Sequence, residues 1–549
     1  MLDRDALSAL KTLKTDLHDK RDLRKATIKG TKANYSFAVC EDGSDVFIPP
    51  PEAKKTLPGD SVEIEVHTDK NNRQSAKIEK LFKPSIDTFV GRCIFKGNNA
   101  FVKAQAPFVA NWIFIPPPMR NGVADGDYIS GRISKHPYKN DGKAQAKVLR
   151  IIAKAGEPGI ETAVTRAIYE LDFVAPKCWD VNADSVEQKL QQVVDARDDL
   201  SDIPFITIDA SSTRDMDDAI YAEKTEQGWQ LRVAIADPAC LVEVDSDIDK
   251  EARHRGSSSY FAHNVMNMLP EAISTQSASL VPSKVRPATV IDIAIGNDGS
   301  IGECKVQLAA VKSAARLTYQ EASRQCEGET QGLPQNILQS LDALHALADA
   351  RTEYRGKNNL ISQHPSDYRF KLDDQGQIEA VQPIEKSIAH RIVEECMLAT
   401  NISMAHYFAN NQLAGLFVTH KGIKTERYAD AAALLKRHLE KTLGDNELSE
   451  LNEFVQLSQA IKGDEKADII EPVLVRMYAR SELKLSSTPH FGMGFDRYLT
   501  FTSPIRRYQD FYCHQVLQAH LAGSTAPQLA EQDLEALQAR IFSLRVGSN

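Results

Sequence analysis

Four aspartates, Asp209, Asp215, Asp217 and Asp218, fall within ten positions of one another. Packed around one chain reversal they would repel, and their protons would stay on unless a cation intervened. A divalent metal answers that conflict. Magnesium takes hard oxygen ligands, keeps several waters and completes its shell with phosphate oxygens. A pair of such ions can activate an attacking water and steady the leaving oxygen of a phosphodiester. Two readings without metal stay open for Asp215-Met216-Asp217-Asp218, an exposed acidic turn and a helix N-cap. Calcium fits poorly, because an EF-hand loop counted from Asp209 needs glycine sixth and glutamate twelfth, where Arg214 and Ile220 stand. His490 has neither HExxH nor paired-histidine spacing around it and reads as structural.

Strand patterns must position these acids. From Ile203, Phe205, Thr207 and Asp209 alternate with Ile206 and Ile208, which predicts a half-buried strand delivering a carboxylate at its end. A polar loop, Ser211 to Arg214, leads into the acidic run. Trp229, Leu231, Val233 and Ile235 then predict a second strand, again ending on an acid, Asp237. Between about residues 335 and 480 the pattern is mostly helical. Leu338, Leu341, Leu344 and Leu347 recur every third position, and Ile392, Val393, Cys396, Met397 and Thr400 follow helical spacing. Both sets predict core faces and not cofactor contacts.

The first 150 residues contain an internal repeat. Phe47-Ile48-Pro49-Pro50-Pro51 recurs as Phe114-Ile115-Pro116-Pro117-Pro118, and each copy is followed at the same interval by Gly-Asp, at Gly59-Asp60 and Gly126-Asp127. Alternation follows each pair, clear in Val62, Ile64 and Val66 and weaker in Ile129, Gly131 and Ile133. Short β-runs broken by Gly, Pro and Asn/Asp turns predict two small OB-type barrels, since closure removes vulnerable edges. In the first, Tyr35, Phe37 and Phe47 could form an exposed platform on which a base stacks, gaining on the order of 1 to 3 kcal/mol. Each of these rings also has a plain reading as filling for a small barrel.

The chain's 549 residues exceed one ordinary core, and 42% hydrophobic with 26% charged residues is the balance of a globular protein. No run of 18 apolar residues occurs, and the N-terminus is charged throughout, so neither a membrane span nor a secretion signal is predicted. Eight scattered cysteines without a CxxC pair predict reduced thiols and a cytoplasmic location. The net charge of −9 supplies no global basic field. Residues 11 to 33 do carry eight Lys/Arg against three Asp, which reads as a solvated face and linker.

Tyr35 to Val39 (YSFAV) followed by Asp45 to Pro50 (DVFIPP) resembles the cold-shock type of RNA-binding barrel, and two such barrels in tandem resemble the front of ribonuclease II and ribonuclease R proteins. The resemblance becomes specific in the acidic region. Thr207-Ile208-Asp209, Ser211 to Asp218 and Val233 to Pro238 resemble the signature of the RNB catalytic domain. The match continues through Asn267 to Pro270, Ser366 to Phe370, Arg391 to Glu395, His490 to Gly494 and Thr502 to Tyr508. It covers nearly the whole chain, and is nearer ribonuclease II than ribonuclease R.

The resemblance implies an α+β fold with two N-terminal barrels ahead of an RNB catalytic domain. Residues 1–83 would form an N-terminal helix and the first barrel, 84–155 the second, 156–200 a connector and 201–549 the catalytic domain. It implies a 3′ to 5′ exoribonuclease that trims single-stranded RNA processively to nucleoside 5′-monophosphates, as a monomer, with one or two Mg2+ ions or Mn2+ in their place. Asp209, Asp215 and Asp218 would hold metal, and Asp217 would be the acid that catalysis cannot lose, itself a metal residue or the one that orients the attacking water or a second ion. Arg506 would bind the scissile phosphate through its fixed fork, and its neighbour Arg507 would be a structural ion-pair residue. Tyr260 would pack on the terminal nucleotide, and Tyr319 and Glu394 would meet ribose and base.

Three departures from the family pattern stand out. Its members end in a further OB-type domain, whereas no β-rich segment follows Ser503 here, so a truncated or shortened relative is expected. Its late active-centre glutamate has no counterpart, since Glu531 and Glu535 come too early. Ser362 stands where a base-stacking phenylalanine is expected. The competing reading is therefore a catalytically weak or inactive RNA-binding protein of the same fold. A third is an endonuclease or DNA nuclease, because magnesium carboxylate sites serve many phosphodiesters.

Overall fold

Each copy of the N-terminal repeat closes into a five-stranded barrel in the computed structural model. The residues described are 21–546, apart from 32, 71–72, 106–111, 172–174, 262–263, 330–331, 362–367, 374–377, 384 and 440–446. The chain divides into two compact units, one holding residues 1–172 and 372–379 and the other holding the rest.

The first barrel is β1 (Leu23–Gly30), β2 (Ser36–Cys40), β3 (Asp45–Ile48), β4 (Ser61–Thr68) and β5 (Gln74–Lys83), in the order β1-β2-β3-β5-β4. The second is β6 (Thr88–Lys96), β7 (Asn99–Ala104), β8 (Ile113–Ile115), β9 (Tyr128–Lys135) and β10 (Gln145–Ala153), in the order β10-β8-β7-β6-β9. The alternation read in the sequence is the inside of each wall: Val62, Ile64 and Val66 are buried, as is Ile129. Gly131 interrupts the second alternation because the Phe89 ring occupies its place, 2.8 Å from where a Cβ would stand.

The repeated Gly-Asp is a turn used twice. Gly59 and Gly126 both have φ +85°, a conformation glycine adopts without strain. The Asp60 carboxylate then accepts from Leu57 N at 2.7 Å and Ser85 N at 3.0 Å, and Asp127 accepts from Ala124 N at 2.9 Å and Ala155 N at 3.0 Å. Each aspartate thus ties the loop before its strand to the end of its barrel. The described part of the basic stretch is paired with carboxylates: Arg21 with Glu65 and Glu79, Arg24 with Asp22, Lys25 with Glu41 and Lys29 with Asp45. That agrees with a solvated face.

The second unit is built on β11 (Asp198–Asp199), β12 (Phe205–Asp209), β13 (Asp218–Thr225), β14 (Gly228–Ala236), the short hairpin β15 (Ser259–Tyr260) and β16 (Val265–Met266), β17 (Val285–Gly296) and β18 (Ile301–Thr318). The long β18 pairs with β17 over its first part and runs parallel to β12 over its last, so the sheet curls back on itself. This corrects the half-buried reading of β12. It lies between β18 and β13, and Phe205, Ile206, Thr207 and Ile208 are buried on both faces.

Helices Gln335–Asn358 and Ile388–Asn410 pack together, the first on β13 and β14 and the second also touching β17 and β18. Leu341, Leu344 and Leu347 are the buried stripe of the first. After Ser503 the described residues form helices Tyr508–Leu521 and Glu531–Val546. All eight cysteines are free thiols. No helix among the described residues is long and apolar enough to cross a membrane.

Candidate active site

Asp209 is the last residue of β12 and Asp218 the first of β13. Those strands are antiparallel neighbours, so residues 210–217 form the reversal that carries the other acids. The reversal is held by its carbonyls. Arg316, on β18, donates through Nη2 to Ala210 O at 3.2 Å, Ser211 O at 3.0 Å and Thr213 O at 2.8 Å. Ser279 Oγ donates to Arg214 O at 2.8 Å and accepts from Met216 N at 3.0 Å, with the Met216 side chain buried. With Met216 pinned in the core, Asp215 and Asp217 on either side line one cavity together with Asp209 and Asp218.

The loop before helix Tyr508–Leu521 lines the same cavity. Asp510 accepts from Thr500 Oγ1 at 2.5 Å and Ser503 N at 2.9 Å, and Asn401 Oδ1 accepts from Phe501 N at 2.8 Å. So anchored, the loop places Ile505 N 2.8 Å from Asp217 Oδ1 and Arg506 Nε 3.2 Å from Asp217 Oδ2. Arg506 O accepts from Ser258 N at 2.9 Å, which ties the loop to the hairpin carrying Tyr260. Tyr260 donates its hydroxyl to Asp215 Oδ2 at 2.5 Å.

Thr318, the β18 partner of Asp209, caps the helix that Tyr319 begins, with its hydroxyl and the Glu321 carboxylate forming a capping box. Glu394 lies on helix Ile388–Asn410. Its neighbour Glu395 is buried between Arg351, at 3.9 Å, and Arg355, at 3.3 Å. Glu394 itself lines the cavity and pairs with Lys386 at 2.9 Å. The cavity of about 440 Å³ therefore brings together Asp209, Asp215, Asp217, Asp218, Tyr260, Tyr319, Glu394 and Arg506.

The reading of Arg507 is corrected: it has no carboxylate partner among the described residues and also lines the cavity. Val393 and Met397, which pack against the core as their helical spacing predicts, also reach the cavity, with Leu398, Asn401 and Tyr498. Glu394, Met397, Leu398 and Asn401 follow the i, i+3, i+4, i+7 pattern of one helix face. A polar Asn401 on that face was the available signal. Asp237 does not join the acids. It is fully buried and held by Arg197 and by Gln518, whose Nε2 is 2.5 Å away. His490 is buried against His420 and Tyr498 and is structural, as read. Ser362, Ser366 and Asp367 lie outside the described residues.

Burial raises the carboxyls of Asp209, Asp217 and Asp218. Asp209 is pushed up to about 6 by burial and the nearby Asp215 charge, against the pull of Arg316 and Arg506. Asp218 is pushed up to about 7 by burial and Asp209. Asp217 is raised well above the usual carboxylate range by burial, with Arg506 and the Ile505 N–H opposing. The Tyr319 phenol is raised to about 12 by burial and the charges of Asp218 and Asp209. No three His, Cys, Asp or Glu side chains among the described residues stand as a ready-made metal cage. Tyr260 and Arg506 engage Asp215 and Asp217 instead. The donor set still fits a hard cation, because four aspartate carboxylates share one cavity and Asp209 and Asp218 stay raised despite Arg316 and Arg506, with no ion pair of their own among the described residues.

In the first unit, Tyr35, Phe37 and Phe47 meet on the outside of the barrel, with ring centroids 5.5–6.0 Å apart, and Tyr35 and Phe47 are each 37% exposed. They do not fill it. A second triad that sequence reasoning missed occupies the same place on the second barrel, where Phe101 lies 6.1 Å from Trp112 and 5.6 Å from Phe114. Phe101 and Phe114 are cross-strand partners as Phe37 and Phe47 are.

Comparison with known proteins gives the following matches. Residues 197–523 match the RNB domain, 101–176 a cold shock domain and 26–81 the ribonuclease B OB domain. Exoribonuclease 2 of Yersinia pseudotuberculosis serotype IB (strain PB1/+) is 31% identical over 529 residues, 95% of this chain and 81% of that protein. Exoribonuclease 2 of Pectobacterium atrosepticum is 31% identical over 525 residues, 94% of this chain and 80% of that protein. Among solved structures, the apo form of Mycoplasma genitalium RNase R matches with TM-score 0.82 at 22% identity, covering 95% of this chain and 85% of that one. Yeast Ssd1, a pseudonuclease, matches with TM-score 0.68 at 13% identity, covering 100% and 75%.

Proposed function

Since the chain belongs to the RNB family of exoribonucleases, we propose that it shortens single-stranded RNA processively from the 3′ end to nucleoside 5′-monophosphates, in RNA degradation and processing. One observation carries this reading: four aspartates, Arg506, Tyr260, Tyr319 and Glu394 meet around one cavity. Its volume of about 440 Å³ is that of a small-ligand site and suits the end of an unpaired strand.

Asp209, Asp215 and Asp218 would hold one or two magnesium ions, with manganese as the substitute. When bound, the cation neutralises the phosphodiester and makes water a better nucleophile. Asp217, anchored by the Ile505 N–H, would orient the attacking water or a second ion. Arg506 meets the charge that grows on the scissile phosphate. Tyr260 packs on the terminal nucleotide, Tyr319 and Glu394 meet its ribose, and Tyr35, Phe37 and Phe47 stack bases of the substrate. An inactive RNA-binding protein is the alternative that the fold of Ssd1 keeps in view. Against it stands an intact acid cluster with its arginine, which RNA binding alone does not require.

The test is digestion of a 5′-labelled RNA hairpin with a 3′ tail beside DNA of the same sequence, with magnesium and then with chelator. The expected result is a ladder that shortens one nucleotide at a time, from RNA only, with magnesium only, and stalls at the stem. Internal cuts, or equal loss of DNA, would overturn the reading.

A further inference from the structure

The His390 ring lies flat on the Tyr319 ring, with centroids 3.9 Å apart and planes 5° apart. Two separate elements make this stack. Tyr319 starts helix Tyr319–Cys326 directly after β18, and His390 stands in the first turn of helix Ile388–Asn410. The helices are joined there, since Ala389 N donates to Ser323 Oγ at 3.2 Å.

The His390 ring is itself fixed. Its Nδ1 accepts from Ser387 N at 3.2 Å and lies 2.8 Å from Ser387 Oγ. A ring nitrogen that accepts a backbone N–H presents its lone pair, so the proton resides on Nε2. Tyr319 and Glu394 line the cavity, whereas His390, one turn before Glu394, supports Tyr319 from behind. Without that support the phenol would rotate among its side-chain wells.

We propose that His390 is a positioning residue for ribose recognition: its ring holds Tyr319 in one side-chain well, and so fixes the tyrosine hydroxyl in the cavity that Glu394 also lines. This rests on the reading that Tyr319 and Glu394 meet the ribose. The 2′-hydroxyl is the group that separates RNA from DNA at such a site.

Two substitutions separate the stack from the cap. His390→Phe keeps an aromatic ring on Tyr319 and removes the acceptor. His390→Gln keeps an acceptor at the third helical position, where glutamine completes a capping box, and removes the ring. Binding of a fluorescent oligoribonucleotide and its 2′-deoxy counterpart is measured in chelator, where no hydrolysis intervenes. The parent is expected to prefer RNA. His390→Phe should keep that preference, and His390→Gln should lose roughly two- to tenfold of it, the worth of about one hydrogen bond, with DNA affinity unchanged. Full preference in His390→Gln, or equal loss in both variants, would overturn the proposal. Tyr319→Phe is the control for the reading beneath it. If removing that hydroxyl leaves the preference intact, the ribose contact itself fails; if it lowers the preference while His390→Gln does not, only the role of His390 fails.

Discussion

Arg506 holds Asp217 through Nε, 3.2 Å from Oδ2, while the preceding residue, Ile505, donates its N–H to Oδ1 at 2.8 Å. One loop thus supplies both partners of an acid only 4% exposed. The contact uses Nε–H alone, which leaves the four N–H bonds of the two Nη groups to meet a phosphate while Asp217 stays held.

Removing Arg506 therefore tests its role in the transition state. Arg506→Ala is expected to lower kcat by roughly 10²- to 10³-fold, the scale of losing one donor aimed at developing charge. RNA affinity in chelator should fall far less. Arg506→Lys should recover little, because an ammonium lacks the planar fork. Single-turnover kinetics beside binding titrations measure both, and an affinity loss equal to the rate loss would assign Arg506 to ground-state binding.

Without cation, the raised carboxyls of Asp209 and Asp218 make stability depend on pH. A carboxyl whose folded pKa exceeds its unfolded value of about 4 binds its proton more tightly in the folded state. Stability is then lost as pH rises from about 4 through about 6 for Asp209 and about 7 for Asp218. Asparagine imitates the protonated form at every pH. In chelator, an Asp209→Asn, Asp218→Asn double variant should be more stable than the parent, with an advantage at pH 8 that exceeds the one at pH 5 by on the order of 3 kcal/mol or more. An equal advantage at both pH values would contradict the pKa assignment.

Much of this site was legible because it is local. The strand that ends on Asp209 and the reversal after it were read from period two and the polar loop, whereas β13, which begins at Asp218, shows no clear alternation and was not. The Gly-Asp repeat announced two barrels because each copy needs the same φ and the same two backbone donors. What was not legible depends on distant partners. Asp237 follows a strand as Asp209 does, yet Arg197 and Gln518 meet it in the core. β12 reads as half-buried until β18 is known to curl around beside it. Trp112 and Phe114 meet Phe101 only once β7 and β8 have paired.

Tyr260 competes for Asp215. Its hydroxyl, 2.5 Å from Oδ2, occupies an oxygen that a cation would use. Tyr260→Phe should raise manganese affinity roughly two- to tenfold, the worth of about one hydrogen bond. Titration followed by the resonance of free manganese reads this without any turnover, and weaker binding in the variant would show the hydroxyl to be an aid to the site.

The exposed rings of the first barrel should contribute affinity and not chemistry. Tyr35→Ala with Phe47→Ala is expected to weaken binding of a long unpaired RNA by roughly tenfold or more, at about 1 to 3 kcal/mol per stacked base. The salt dependence should stay as in the parent, because no phosphate contact is lost. A changed salt slope would place charge, and not stacking, at this surface.

Asp217 is the residue on which the proposed hydrolysis turns. Asp217→Asn preserves shape and can still accept the Ile505 N–H, so folding is retained while the charge is removed. The decisive measurement is the rate at which this variant and the parent consume the same 5′-labelled unpaired RNA at saturating magnesium, at matched melting temperature and RNA affinity. A fall of roughly 10³-fold or more is expected, on the scale of losing a general base or its equivalent; consumption at the parent's rate would contradict the assignment.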